Sequence, residues 1–300
     1  MSAHLAMVVA ALLWASAAVT SKAVLPVVPF AELAFLRVAL GGCAQWATVK
    51  AFGLRSVSPR IALRAAAIGA VEPGIVTAIG YWGLSQTSAV HAVVIFSLMP
   101  VATALLARIF IGEAFRPSLI IGAAVAIAAT VLLVTGRAAS TEASLAGDAL
   151  IAIALLLACV AALALRRNAQ ANAGSAVAAT AYQLAGAATS SLVIAVVAAG
   201  GAPFAWVGAA EAGTLATILF LGFGVSGFAS PIYNFAFKRL EAAQVTLYVV
   251  LISPIGVALA WLFLGEPLSA RDVALIAATV AGVALPAAAD AFVRARAGWR

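Results

Sequence analysis

Residues Leu251–Leu268 read LISPIGVALAWLFLGEPL, and Leu98–Phe115 read LMPVATALLARIFIGEAF. Each stretch sets a proline early in a long apolar run, and each ends that run on Gly-Glu. The two start 153 residues apart (251 − 98). A pattern this particular, written twice in one chain, predicts an internal repeat built from apolar helices.

The composition says where such helices belong. Hydrophobic residues make up 65% of the chain and charged residues only 9%, with a mean hydropathy of +1.15. A soluble domain carries about a quarter of its residues charged, so most of the outer surface here must face lipid. The net charge of +7 does not point to nucleic acid. The basic residues sit in short breaks between apolar runs, as membrane loops do, and form no clustered basic face. Cys43 and Cys159 both fall inside apolar runs and are read as ordinary buried residues, not as a disulfide.

About 20 apolar residues cross a bilayer as a helix. Ten runs reach that length, at roughly 4–21, 30–49, 61–83, 89–111, 118–136, 146–165, 176–199, 212–236, 243–264 and 272–292. They are continuously apolar, which argues against a membrane β-barrel. Ala15-Ser16-Ala17 looks like a signal-peptide cleavage site, but no Lys or Arg precedes it, so the first run is expected to stay as a span. An N-terminus inside places Lys50, Arg55, Arg60, Arg64, Arg108, Arg116, Arg166, Arg167, Lys238, Arg239, Arg294, Arg296 and Arg300 in the cytoplasm. Only Lys22, Arg137 and Arg271 then lie outside. Positively charged loops stay inside, so both termini are expected to be cytoplasmic.

The opening stretches become the fourth and ninth spans. His91 falls opposite Gln244, Lys22 opposite Arg167, and Arg37 opposite Gln183. An interval of five spans is odd, so the second copy enters the membrane from the other side. The expected fold is an all-α integral membrane protein of ten transmembrane helices, arranged as two inverted five-helix repeats over residues 1–140 and 141–300. Inverted repeats are a recurrent construction of secondary transporters.

With Trp14, Lys22 and Arg37 in the first two spans, SLMP…IGE and LISP…LGE in spans four and nine, and Arg166-Arg167 closing span six, the chain resembles the EamA-type branch of the drug/metabolite transporter superfamily. Within that superfamily it looks most like the amino-acid exporters, the aromatic ones among them. The resemblance implies a central cavity surrounded by spans 1, 3, 4, 6, 8 and 9, with spans 5 and 10 behind. It also implies a bacterial inner-membrane location.

Polar groups deep in a span are expensive and mark function or pairing. Arg37 lies eight residues from Pro29, about 12 Å inward, and Glu72 lies thirteen residues from Ser85, about 20 Å inward from the same side. An extended arginine spans that difference, so an ion pair between them is one expectation. Glu72 also sits in Glu-Pro-Gly, which predicts a kink at mid-membrane and a carboxyl either suited to proton exchange or held neutral and hydrogen-bonded within the bundle. His91 and Gln244 open equivalent turns, with Tyr248 one turn beyond Gln244, and Ser97 and Met99 precede Pro100. As a group they predict a polar rim, while any one of them alone reads as a helix-to-helix hydrogen bond. Trp14, Tyr81, Trp82, Tyr233 and Asn234 lie on spans 1, 3 and 8, where they can stack on a ligand or simply pack. The expected cavity residues are therefore Trp14, Glu72, Tyr81, Trp82, His91, Ser97, Met99, Asn234, Gln244 and Tyr248, with no catalytic or metal-binding set.

Trp206 and Trp299 read as interfacial anchors. GFGVSG, Gly222–Gly227, copies the dinucleotide fingerprint, but it lies inside an apolar span instead of between strand and helix, so it reads as close helix packing. Gly112-Glu113 and Gly265-Glu266 sit at opposite membrane faces and read as span endings.

The sequence thus predicts a secondary transporter exporting small metabolites, most of all amino acids, with no enzymatic activity and no cofactor. Its partners are a neutral or zwitterionic small molecule and membrane lipid, with no nucleic acid, and a monomer satisfies this reading. Efflux of drugs or organic cations by the same fold is the alternative, and a scaffold without flux is the third. An enzyme would need clustered His and carboxylates, whereas the chain has two histidines and one deep carboxylate.

Overall fold

The computed structural model of the protein describes residues 2–84, 86–87, 89–114, 116–136, 144–200, 202–264 and 267–297. Arg137, Gly265-Glu266, Trp299 and Arg300 lie outside them, as do the side chains of Lys22, Arg294 and Arg296. The described residues contain helices and no strand. In chain order these are α1 (Ala3–Val24), α2 (Phe30–Ala51), α3 (Pro59–Gly69), a π-helical turn (Ala70–Ile75), α4 (Val76–Leu84), α5 (Ala89–Ser97), α6 (Met99–Phe110), α7 (Pro117–Thr135) and α8 (Leu145–Ala171). There follow α9 (Ala176–Ala198), a short 3₁₀ turn (Ala205–Ala209), α10 (Ala212–Leu219), a second π-helical turn (Phe220–Ser226), α11 (Gly227–Arg239), α12 (Ala242–Val249), α13 (Ile252–Leu264) and α14 (Ala270–Ala297).

Among the described residues eight stretches are long and apolar enough to cross a membrane, from Pro59–Gly83 to Ala270–Phe292, and they coincide with the third to tenth expected runs. The first run holds a shorter apolar stretch, Ala3–Ala17. The second is helical but carries Glu32, Arg37, Gln45 and Lys50. Serine hydroxyls begin several helices by accepting an otherwise unpaired backbone N–H: Ser2 from Leu5, Ser58 from Ile61, Ser144 from Gly147 and Ser175 from Val177. Pro59 and Pro117 occupy the first turn, where no N–H is needed.

The kink expected at Glu-Pro-Gly is present. Glu72 leaves the helical region altogether, at φ −130° and ψ 114°. The broken turn leans on α9 through glycines. A Cβ on Gly69 would lie 1.8 Å from the Gln183 carbonyl oxygen, and one on Gly186 would lie 1.9 Å from that of Ala66. Side chains of α9 then bond carbonyls of the break: Ser190 Oγ donates to Ala70 O at 2.9 Å, and Gln183 Nε2 to Glu72 O at 3.1 Å. The second π-helical turn meets α2 in the same manner, with a Cβ on Gly222 falling 2.4 Å from Leu40 Cβ. GFGVSG is therefore a helix contact, as its sequence setting predicts.

The helix pairs α2 with α9 and α7 with α14 pack against each other. In the latter, a Cβ on Gly122 would sit 2.4 Å from Gly282 O, and one on Gly282 would sit 2.6 Å from Gly122 O. The proline runs break at matching places, Leu98 between α5 and α6 and Val250-Leu251 between α12 and α13. Beyond the breaks α6 packs on α12, while α5 packs on α7 and α8, and α13 on α1. Large apolar side chains such as Leu105, Ile109, Phe110, Val197, Phe228 and Trp261 are exposed on the outside, as lipid contact requires. Cys43 corrects an expectation: it is exposed on α2, whereas Cys159 is buried with Sγ 3.8 Å from Met99 O.

Candidate functional site

A cavity of about 160 Å³ lies where the broken helices meet. It is lined by Trp14 of α1, Glu72 and Pro73 of the first π-helical turn, Val76 of α4, Phe96 of α5 and Met99 of α6. Ala158 of α8, Gln183 of α9, Ser230 and Tyr233 of α11, Val249 of α12 and Ile252 of α13 complete it. Phe96 and Val249 stand 153 residues apart (249 − 96), and so do Met99 and Ile252 (252 − 99). The two proline breaks thus present matching faces to one space. Gln183 extends the lining to the seventh run, which the family resemblance does not place there.

Among the described residues Glu72 is the only carboxylate in this lining, and no Lys, Arg or His joins it. Its Oε2 is buried with no hydrogen-bond partner, although burying such a group unmet is costly. The expected ion pair with Arg37 is not the contact found. Arg37 Nε donates to Ser226 Oγ at 3.0 Å, and the guanidinium acts on Glu72 only through its field. Packing of α2 on the second π-helical turn brings Ser226 to Arg37, leaving the Glu72 carboxyl on the cavity side.

Polar and aromatic neighbours hold the site in place. Gln183 works at both ends, donating from Nε2 to Glu72 O while its Oε1 accepts from Asn234 Nδ2 at 2.6 Å. Asn234 also donates to Thr180 Oγ1 at 2.8 Å. Trp14 and Tyr233 meet edge to face, with centroids 5.2 Å apart, and Tyr233 meets Phe237 in the same way at 4.6 Å.

Of the expected cavity residues, the cavity gathers Trp14, Glu72 and Met99, together with Tyr233, which the sequence names beside them. Asn234 stands directly behind it through Gln183. Ser97 is buried, and its hydroxyl donates to Val94 O at 2.7 Å, within its own helix. Trp82 is exposed, and Tyr81 is partly buried beside it on α4. His91 lies at the start of its rod, Nδ1 2.9 Å from Asp148 Oδ2. Gln244 and Tyr248 line a separate small hollow with His4. There Gln244 Nε2 donates to Asp290 Oδ2 at 3.3 Å, and His4 Nδ1 is 2.8 Å from the Tyr248 hydroxyl oxygen.

At the end of the bundle where α6 meets α12, charged groups tie helices together. Glu113 accepts from Arg166 Nε at 3.1 Å and from the Ala242 N–H, at the start of α12, at 3.1 Å. Arg116 bridges Glu241 at 2.9 Å and Asp290 at 2.7 Å. Gly112, at φ 71°, turns the chain out of α6 so that Glu113 can reach them. Glu32 is a buried carboxylate that the depth argument passes over, because it stands in the first turn of α2. It accepts from Trp206 Nε1 at 2.5 Å and from Phe204 N at 3.1 Å, so Trp206 is pinned by a carboxylate.

A search of curated proteins gives no match. A solved protein structure superposes over 95% of this chain and 96% of its own, at TM-score 0.77 and 22% identity, and so shares the fold. Residues 1–135 match the EamA-like transporter family, which together with the apolar helices points to a multi-pass membrane protein that moves small molecules.

Proposed function

We propose that the protein is a secondary transporter that exports small metabolites, amino acids foremost, across the cell inner membrane by alternating access. Ten spans, in inverted units of residues 1–140 and 141–300 with both termini cytoplasmic, frame this reading. The observation that carries it is the cavity, whose walls pair Phe96 with Val249 and Met99 with Ile252 across the two proline breaks.

The packing supports the same reading. Exchanging the halves maps α1 on α11 to α8 on α4, α1 on α13 to α8 on α6, and α2 on the second π-helical turn to α9 on the first. Two halves that share such contacts can trade conformations, which is the basis of alternating access. In this orientation the end closed by α6, α12 and the Glu113 and Arg116 ion pairs is the cytoplasmic one. The structure then corresponds to the state closed toward the cytoplasm.

Counterflow of labelled amino acids into preloaded proteoliposomes tests the function. Exchange above that of protein-free vesicles is expected. No exchange of any solute tried would leave a scaffold as the better reading.

A further inference from the structure

We infer that the cavity recognises its substrate by an ammonium group set against Glu72, so that amines lacking a carboxylate bind at least as well as the corresponding amino acids. This rests on the reading of the cavity as the transport site. Three observations meet there. Glu72 brings the only carboxylate among the described residues of the lining, with Oε2 buried and unbonded. Trp14, Phe96 and Tyr233 bring aromatic rings to the same space. Among the described residues no cationic side chain joins the lining, and Arg37 is engaged with Ser226.

A carboxylate with free acceptor positions is completed by an N–H donor, and a positively charged one is strongest. Aromatic faces add attraction for the same cation and hold the apolar body of the ligand. An α-carboxylate meets the opposite situation. Gln183 gives one N–H to Glu72 O and accepts from Asn234, so the donors in the wall are its second N–H, the Trp14 indole N–H and the hydroxyls of Ser230 and Tyr233, all of them neutral. Placed near Glu72, a second anion is repelled and finds no cation among these donors. The carboxylate of an amino acid must therefore point away from Glu72 and contributes little to affinity.

The test uses the purified full-length protein and four ligands of one shape: phenethylamine, phenylalanine, 3-phenylpropionate and 2-phenylethanol. Radiolabelled phenethylamine is expected to bind, with unlabelled phenylalanine competing within about tenfold of the amine, a margin of about 1.4 kcal/mol. The acid and the alcohol are expected to compete at least about a hundredfold more weakly. Glu72→Gln should lose amine binding, and Glu72→Asp, which keeps the charge, should retain the order of the four ligands and so guards against a folding defect. Equal competition by 3-phenylpropionate or 2-phenylethanol, or unchanged amine binding by Glu72→Gln, would overturn the inference. Counterflow run alongside separates the two levels. Exchange of other solutes without amine selectivity refutes the ammonium site alone, whereas no exchange of anything refutes the transport reading beneath it.

Discussion

Gln183 reaches from α9 into the broken turn and donates through Nε2 to the Glu72 carbonyl oxygen at 3.1 Å. The carbonyl belongs to a residue with non-helical dihedrals, and the next residue is a proline without an N–H. The same amide accepts from Asn234, so one side chain serves two helices. Gln183→Leu keeps the bulk and removes both bonds. Leaving buried polar groups unmet costs about 1–3 kcal/mol each. The variant is expected to unfold at a lower temperature in detergent than the wild type. An unchanged melting temperature would show that these bonds do not hold the break.

The contact between the first break and α9 makes a sharper contrast between two glycines of one rod. A Cβ on Gly69 would lie 1.8 Å from the Gln183 carbonyl oxygen, whereas one on Gly80 meets nothing within 4 Å. Gly69→Ala must push backbone from backbone and should destabilise by about 1–3 kcal/mol. Gly80→Ala adds helix propensity alone and should stabilise by up to about 1 kcal/mol. Thermal unfolding of the two variants side by side decides the matter. Equal shifts would mean that the packing against α9 is looser than described.

Much of the frame is legible before any coordinates, and the reasons are physical. Glu72-Pro73-Gly74 shows its break because proline and glycine act on the backbone wherever they stand. Pro100 and Pro254 show theirs likewise. The wall of the cavity was harder to read because it is mostly apolar. Phe96, Val249 and Ile252 look like ordinary lipid-facing residues, and only the spacing of 153 links them across the repeat, whereas Pro100 points to Met99. Conversely, His91 and Gln244 are polar and repeat-related, yet they bond Asp148 and Asp290 at the ends of their rods. Polarity at a repeated position marked a helix start there. Glu32 escaped notice for a related reason: a carboxylate in a first turn looks solvated, and only the fold shows Phe204 and Trp206 covering it.

The bridge from Arg116 to Glu241 carries a signed dependence on pH. Burial pushes the Glu241 carboxyl above the usual value of 4.5; Arg116 and Arg166 draw it back, and Glu113 and Asp290 push it further up. A carboxyl raised in the folded protein favours folding while protonated. Its contribution is full below the ordinary value and is lost as pH rises through the raised one. Glu241→Gln is permanently neutral and should lack this loss. The melting temperature of the wild type relative to the variant is expected to fall as pH rises from about 4 through the raised value. A relative rise over that window would reverse the assigned sign.

Glu72 offers the last and most direct test of coupling. The carboxyl faces the cavity with one oxygen unbonded, and the charged or titratable groups acting on it are Arg37 from α2 and Tyr233 from α11. Neither is in an ion pair with it among the described residues. A proton reaching the cavity would compete for Glu72 with a cationic group bound there. Flux through the wild type should change with pH, by no more than about tenfold per unit if a single proton is involved. Glu72→Gln holds the position neutral at every pH and should flatten that profile, while Glu72→Asp should keep a slope. Flux in reconstituted vesicles, followed from about pH 5.5 to about pH 8, checks both. A Glu72→Gln profile as steep as that of the wild type would move proton coupling away from this carboxyl, and with it the reason for an acidic group at the broken turn.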